Sequence, residues 1–117
     1  MNAVAFGRAL EQVTQVRGVR GAMLVSGQDG LVVAEQLMEG LRGPAVAALA
    51  ASLSSRLSRA MGAAGLGIGQ FWHLQCEGGA LLVVPAASGL LVVAVADPEV
   101  NVGLVRLELL RAAEVAR

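Results

Sequence analysis

An α+β fold built on one antiparallel sheet is what this sequence predicts. Three observations carry that expectation. Apolar periodicity alternates between helical and strand spacing in the order helix, two strands, helix, three strands, helix. Asp29-Gly30 and Gly78-Gly79 sit between consecutive strand segments, and such pairs between apolar runs are hairpin signals. Two segments, Ala80–Pro85 (ALLVVP) and Leu90–Ala96 (LLVVAVA), are apolar throughout, as strands covered on both faces are. No repeat or low-complexity stretch interrupts the pattern, so residues 1–117 read as a single domain, in keeping with the usual ~100–200 residues per domain.

Taken in order, Ala3–Arg17 places Phe6, Ala9, Leu10, Val13 and Val16 at helical spacing, with Arg8, Glu11, Gln12 and Gln15 elsewhere on the cylinder. Gly18 is expected to close this helix. Val19–Ser26 (VRGAMLVS) reads as a strand, Gly27–Gly30 as a turn, and Leu31–Leu37 as the returning strand, whose apolar character fades at Glu35 and Gln36. Met38–Gly43 leads to Pro44, tolerated in a first helical turn because the missing N–H would have no partner there. Ala45–Ala64 is the longest predicted helix, and Gly65, Gly67 and Gly69 break it. Gln70–Glu77 is a strand carrying Phe71-Trp72-His73, and Gly78-Gly79 returns the chain into Ala80–Pro85. After Leu90–Ala96, Asp97-Pro98-Glu99 is expected to open the last helix, with Asp97 as N-cap, running to about Val115.

Composition narrows the function classes. Nine Arg balance nine acids and there is no Lys, which argues against a nucleic-acid binder relying on a basic excess. The lack of Lys removes the P-loop and Schiff-base chemistries. A lone Cys allows no internal disulfide, so a reduced, cytoplasmic setting is expected. No wholly apolar run is longer than Leu90–Ala96, far short of the ~20 residues that span a bilayer, and residues 1–10 carry no evident export signal. Apolar residues make up 56% of the chain and charged ones 15%. So little charge covers little surface, and some of the apolar surface is expected to face a partner.

Candidate chemistry is sparse. Gly65-Leu66-Gly67-Ile68-Gly69 superficially resembles a phosphate loop, but it follows a helix and precedes a strand, which offers the wrong helix end; a connector is the better reading. His73 and Cys76 lie three apart on a strand and so on opposite faces, with no second His or Cys to complete a metal site. His73 reads as a strand-surface or interface residue, and Cys76 as a small core residue. No Ser–His–acid set can be assigned, and no cofactor or metal is expected. Trp72 is either a binding anchor or simple packing.

The long helix is more informative. At 100° per residue, Val46, Leu49, Ala50, Leu53, Leu57, Ala60 and Ala64 share a face expected to pack on the sheet. The opposite face carries Ala48, Ala51, Ser55, Ser58 and Gly62, with Arg56 and Arg59 to one flank. A solvent-facing helix normally carries charged or amide side chains there. Small residues let another backbone approach closely, so this stripe is expected to pair with another helix; an Ala-rich compositional bias is the bland alternative.

Three stretches together resemble the roadblock/dynein-light-chain family. The first is Gly18-Val19-Arg20-Gly21-Ala22-Met23-Leu24-Val25-Ser26 with the Asp29–Ala34 that follows. The second runs from Phe71 through Glu77-Gly78-Gly79 into Leu81–Pro85. The third is Leu90–Ala96 followed by Asp97–Arg106. The likeness is strongest to the bacterial branch that includes the gliding-motility GTPase regulator. It implies a three-layer, profilin-like sandwich: a sheet in the order 2-1-5-4-3, the first and last helices on one face and the long helix on the other. It further implies a homodimer made by pairing the third strand with its twin and packing the long helices antiparallel. On this chain that interface maps to Ala48, Ala51, Ser55, Ser58 and Gly62 with Phe71, Trp72, His73, Leu74 and Gln75. A small Ras-like GTPase is the implied partner, docked across the dimer, with no catalytic side chain supplied by the roadblock domain.

The leading expectation is therefore a non-catalytic homodimeric regulator or scaffold of a small GTPase. A profilin- or sensor-like ligand-binding domain is the alternative, and would need a pocket with a few placed polar groups. A structural protein that polymerises through an exposed edge strand is a third.

Overall fold

The computed structural model describes residues 3–116. Among them, helices and strands follow the predicted order: α1 (Ala3–Thr14), β1 (Val19–Ser26), β2 (Val32–Leu37), α2 (Gly43–Ala63), β3 (Trp72–Cys76), β4 (Gly79–Pro85), β5 (Leu90–Ala96) and α3 (Val102–Val115). The strands form one antiparallel sheet in the order β2-β1-β5-β4-β3, which is the order the resemblance implies.

The continuous apolar runs explain the layering. Side chains alternate across a strand, so each of β1, β4 and β5 supplies apolar groups to both faces. On one face Ala22, Leu24, Leu82, Val84, Val92 and Ala94 pack with Phe6, Leu10 and Val13 of α1 and Val105, Leu109 and Ala112 of α3. On the other, Met23, Val25, Leu81, Val83, Leu91 and Val93 pack with Ala47 and Ala50 of α2 and with Trp72. Fully burying a Leu or Val stabilises the fold by roughly 1.5–3 kcal/mol, and the two layers together hold the sheet between the helices.

Three expectations are corrected. The first helix ends at Thr14, three residues before Arg17, and the chain turns through Gln15–Gly18, with the Val19 N–H donating to the Val16 carbonyl. Asp97 does not cap α3. Its carboxylate is held by Arg20, Nε to Oδ1 2.6 Å, and the cap is Asn101, whose side-chain oxygen accepts the Leu104 N–H at 3.1 Å. Thirdly, α2 is rotated from the expected orientation. Gly43, Ala47, Ala50, Ala51 and Ser54 are its buried residues, whereas Leu49, Ala60 and Ala64 are exposed. Small residues, not the leucines, centre the contact with the sheet, because they let the helix sit close to the Val- and Leu-rich strands beneath it.

Close approach requires a glycine at position 69, and a positive φ favours one at position 30. A Cβ on Gly69 would overlap the Trp72 ring and meet Met61 Cε at 2.7 Å, so the chain can pass under the indole only without a side chain. Gly30, at φ +72°, brings the β1–β2 turn to within 3.4 Å, Cβ position to Cα, of Ala48.

Candidate interaction surface

The β3 edge and the helix flank above it form an open side of the sheet. β3 pairs with β4 in an unbroken register from Trp72↔Val83 to Cys76↔Gly79 and, among the described residues, has no further strand beyond it. Its five residues, WHLQC, include no Asp, Glu, Arg or Pro. The pairing register assigns Trp72, Leu74 and Cys76 to the α2 face, and His73 and Gln75 to the face of α1 and α3.

On the α2 face, Leu74 is 37% exposed and Leu49 of α2 is 48% exposed. They line one apolar groove of about 210 Å³ with Val46, Cys76, Leu81 and Val95. Leu53 and Leu57, half-buried, continue the same flank of the helix by their spacing of four residues. Trp72 is only 8% exposed and belongs to the core beneath α2. Among the described residues its Nε1 has no hydrogen-bond partner, and the same holds for the buried Ser54 Oγ. Cys76 is exposed, not the core residue expected: it is the last residue of the edge strand and lines the open groove beside Val46 and Leu49 of α2.

On the other face, Phe71 is half-buried against the core and the Arg106 guanidinium lies 5.6 Å from its ring centroid, within cation–π range. Gln75 Nε2 donates to the Pro98 carbonyl at 3.3 Å. Arg20, besides holding Asp97, donates from Nη1 to the Gly78 carbonyl at 3.0 Å. The strand and its turn are thus tied to the body of the sheet at two points.

The small-residue stripe lies elsewhere. Ala48 and Ser55 line a cleft with Gly27–Gly30 of the β1–β2 turn, on the flank of α2 away from β3. Ser58 and Gly62 are exposed and fall on the same flank by helical spacing. Ala51 is 8% exposed and packs inward near Gly30. The structure therefore brings Leu74 together with Leu49 of α2 and leaves Ala48 and Ser55 of the stripe facing the hairpin. Leu49 and Leu53 as surface residues, and Arg20 and Arg106 as anchors, were not singled out by the sequence. Phasing the helix on Gly43, Ala47, Ala50 and Ser54 would have revealed the first two.

Among the described residues no three His, Cys, Asp or Glu side chains converge as a metal site, and no helix is long and apolar enough to cross a membrane. The glycine-rich connector 65–69 follows α2 and leads into β3, with Leu66 and Ile68 exposed.

The same order of elements is found in known proteins. A family model, Roadblock/LC7 domain, matches residues 6–96. The chain belongs to the Roadblock/LC7 family. The match begins within α1 and runs through β5; α3 lies beyond it. An uncharacterized protein of Methanocaldococcus jannaschii is 36% identical over 107 residues, covering 92% of each chain. Among solved structures, "MglB with tetrameric arrangement" has a TM-score of 0.84 at 26% identity, covering 98% of this chain and 88% of that one. The gliding protein mglB from Thermus thermophilus has a TM-score of 0.83 at 25% identity, covering 97% of this chain and 88% of that one. This roadblock domain thus shares its sheet order and layering with gliding-motility proteins.

Proposed function

We propose that this roadblock domain is a non-catalytic homodimeric regulator or scaffold of a small Ras-like GTPase. The dimer forms by pairing of β3 with its twin and contact between the Leu49–Leu53 flanks of the two α2 helices. The observation that carries the dimer is the coincidence of an edge strand without Asp, Glu or Arg with an exposed apolar groove on the same side of the molecule. The GTPase assignment rests on family membership and on the likeness to MglB. A two-fold dimer presents each exposed segment twice, so one asymmetric GTPase can bridge both subunits with two different patches of its own.

The test is native mass spectrometry and calorimetry with small GTPases from the same cell, loaded with GDP or a non-hydrolysable GTP analogue. One GTPase per two copies is expected, with no nucleotide hydrolysis by the roadblock domain alone. Preference for one nucleotide state marks a regulator, and indifference marks a scaffold. Tight binding of a small metabolite, with no GTPase bound in either state, overturns the assignment.

A further inference from the structure

We infer that the β3 strands of two copies pair with Leu74 opposite its own twin, and that this register closes a reciprocal ion pair between Arg106 and the partner's Glu77. The inference rests on the dimer proposed above and fixes its register. A two-fold axis normal to the sheet keeps every side chain on its own face. Directly opposed residues in an antiparallel pair also share a face. Only an axis midway between a residue and its own twin meets both conditions. Full overlap of the five-residue strand Trp72–Cys76 then selects its midpoint, Leu74.

The consequences are specific on each face. On the α2 side, the two exposed Leu74 side chains meet, and Trp72 lies opposite the partner's Cys76. Both α2 helices lie on that side, antiparallel to one another. On the other side, His73 lies opposite the partner's Gln75. One step beyond the strand, Phe71 lies opposite the partner's Glu77. Opposed residues have Cβ atoms ~5 Å apart, and Arg106 already stands over the Phe71 ring at 5.6 Å. Glu77 is the first residue of the β3–β4 turn, just past the paired strand, so it is the length of the Glu77 and Arg106 side chains that lets the partner's carboxylate reach the Arg106 guanidinium.

Charge and rigidity agree with this placement. Both side chains are exposed, and neither enters the Arg20–Asp97 or Arg111–Glu108 ion pair seen among the described residues. The turn that carries Glu77 is fixed on either side, by Gln75 to Pro98 and by Arg20 to Gly78. The symmetry makes the pair twice, once at each end of the seam, so Arg106 and Glu77 act as a register lock on a strand that itself has no Asp, Glu or Arg.

Single-cysteine variants read the register. In a Cys76→Ser background, Leu74→Cys is expected to give a covalent dimer on mild oxidation, since directly opposed Cα atoms lie within disulfide reach. His73→Cys and Gln75→Cys are each displaced by two residues from their twins, ~8 Å or more away, and are expected to link at least tenfold more slowly. Separately, Arg106→Glu and Glu77→Arg are each expected to weaken the dimer roughly 3–10-fold at low salt, and the combined swap to restore it. Faster linking at 73 or 75 than at 74, or a swap that fails to restore affinity, overturns the register or the ion pair while leaving the dimer standing. A parent chain that sediments as a monomer across the micromolar range overturns the dimer, and the register with it.

Discussion

The sheet ends in two edges, and they are built differently. At β2, the pairing with β1 jumps from Leu24↔Ala34 to Val25↔Val32, so Val33 bulges out of the ladder, and the strand continues through Glu35 and Gln36, both exposed. A bulge and polar side chains are devices that keep an edge from adding another strand. At β3 the ladder runs without a shift, no residue is Asp, Glu or Arg, and an apolar groove under Leu49 adjoins the open strand. Edge strands left unguarded invite pairing. The contrast teaches that this chain shields one end of its sheet and leaves the other open, which is the arrangement the proposed dimer requires.

The largest expected effect comes from attacking the offered side. Leu49→Arg sets a guanidinium into the groove beside Leu74 with no acid among its lining residues. Burying an unpaired charge at a seam costs about 3–5 kcal/mol, so the dimer dissociation constant is expected to rise more than ~100-fold in sedimentation experiments. The single chain should keep its melting behaviour, because Leu49 is already half exposed. An unchanged dimer constant would place the seam elsewhere.

A smaller effect is expected from removing the guard. Glu35→Val with Gln36→Val takes the polar groups off the β2 edge while leaving the Val33 bulge. Dimers are then expected to associate further in a concentration-dependent way, visible as added mass by light scattering, with a second-step affinity no better than ~10 µM while the bulge still disturbs the ladder. If the variant remains strictly dimeric at high concentration, the bulge alone protects that edge.

The two edges were unequally legible in the sequence. Strand positions came through because Val19–Ser26 and Leu90–Ala96 are bounded by turn chemistry on each side, and both match the observed limits. The order of the strands came from the resemblance, since spacing alone does not say which strands become neighbours. The orientation of α2 was missed for a physical reason. A helix pressed on a flat sheet of Val and Leu buries its smallest residues closest, and its leucines splay to the flank, so choosing the largest apolar stripe as the inward face gives the wrong phase. Asp97 was misassigned because its partner, Arg20, is 77 residues away in sequence, and no local signal announces such a pair.

The smallest expected effect separates the two flanks of α2. Ser55 sits beside the β1–β2 turn, exposed, with its hydroxyl accepting from Arg59 Nη2 at 3.4 Å. If the seam runs along Leu49 and Leu53, an arginine at Ser55 points into solvent above Gly27–Gly30 and touches no partner. Ser55→Arg is then expected to change the dimer constant by less than about 0.5 kcal/mol, the ordinary range for a surface substitution. It should also leave the melting temperature within experimental scatter. The alternative is sharp, because a stripe of small residues that does pair with another helix cannot accept this side chain without losing several kcal/mol of association energy. Sedimentation of Ser55→Arg beside Leu49→Arg therefore assigns the seam to one flank or the other: loss at 49 with retention at 55 keeps it on the side of β3, and the reverse moves it to the side of the guarded edge.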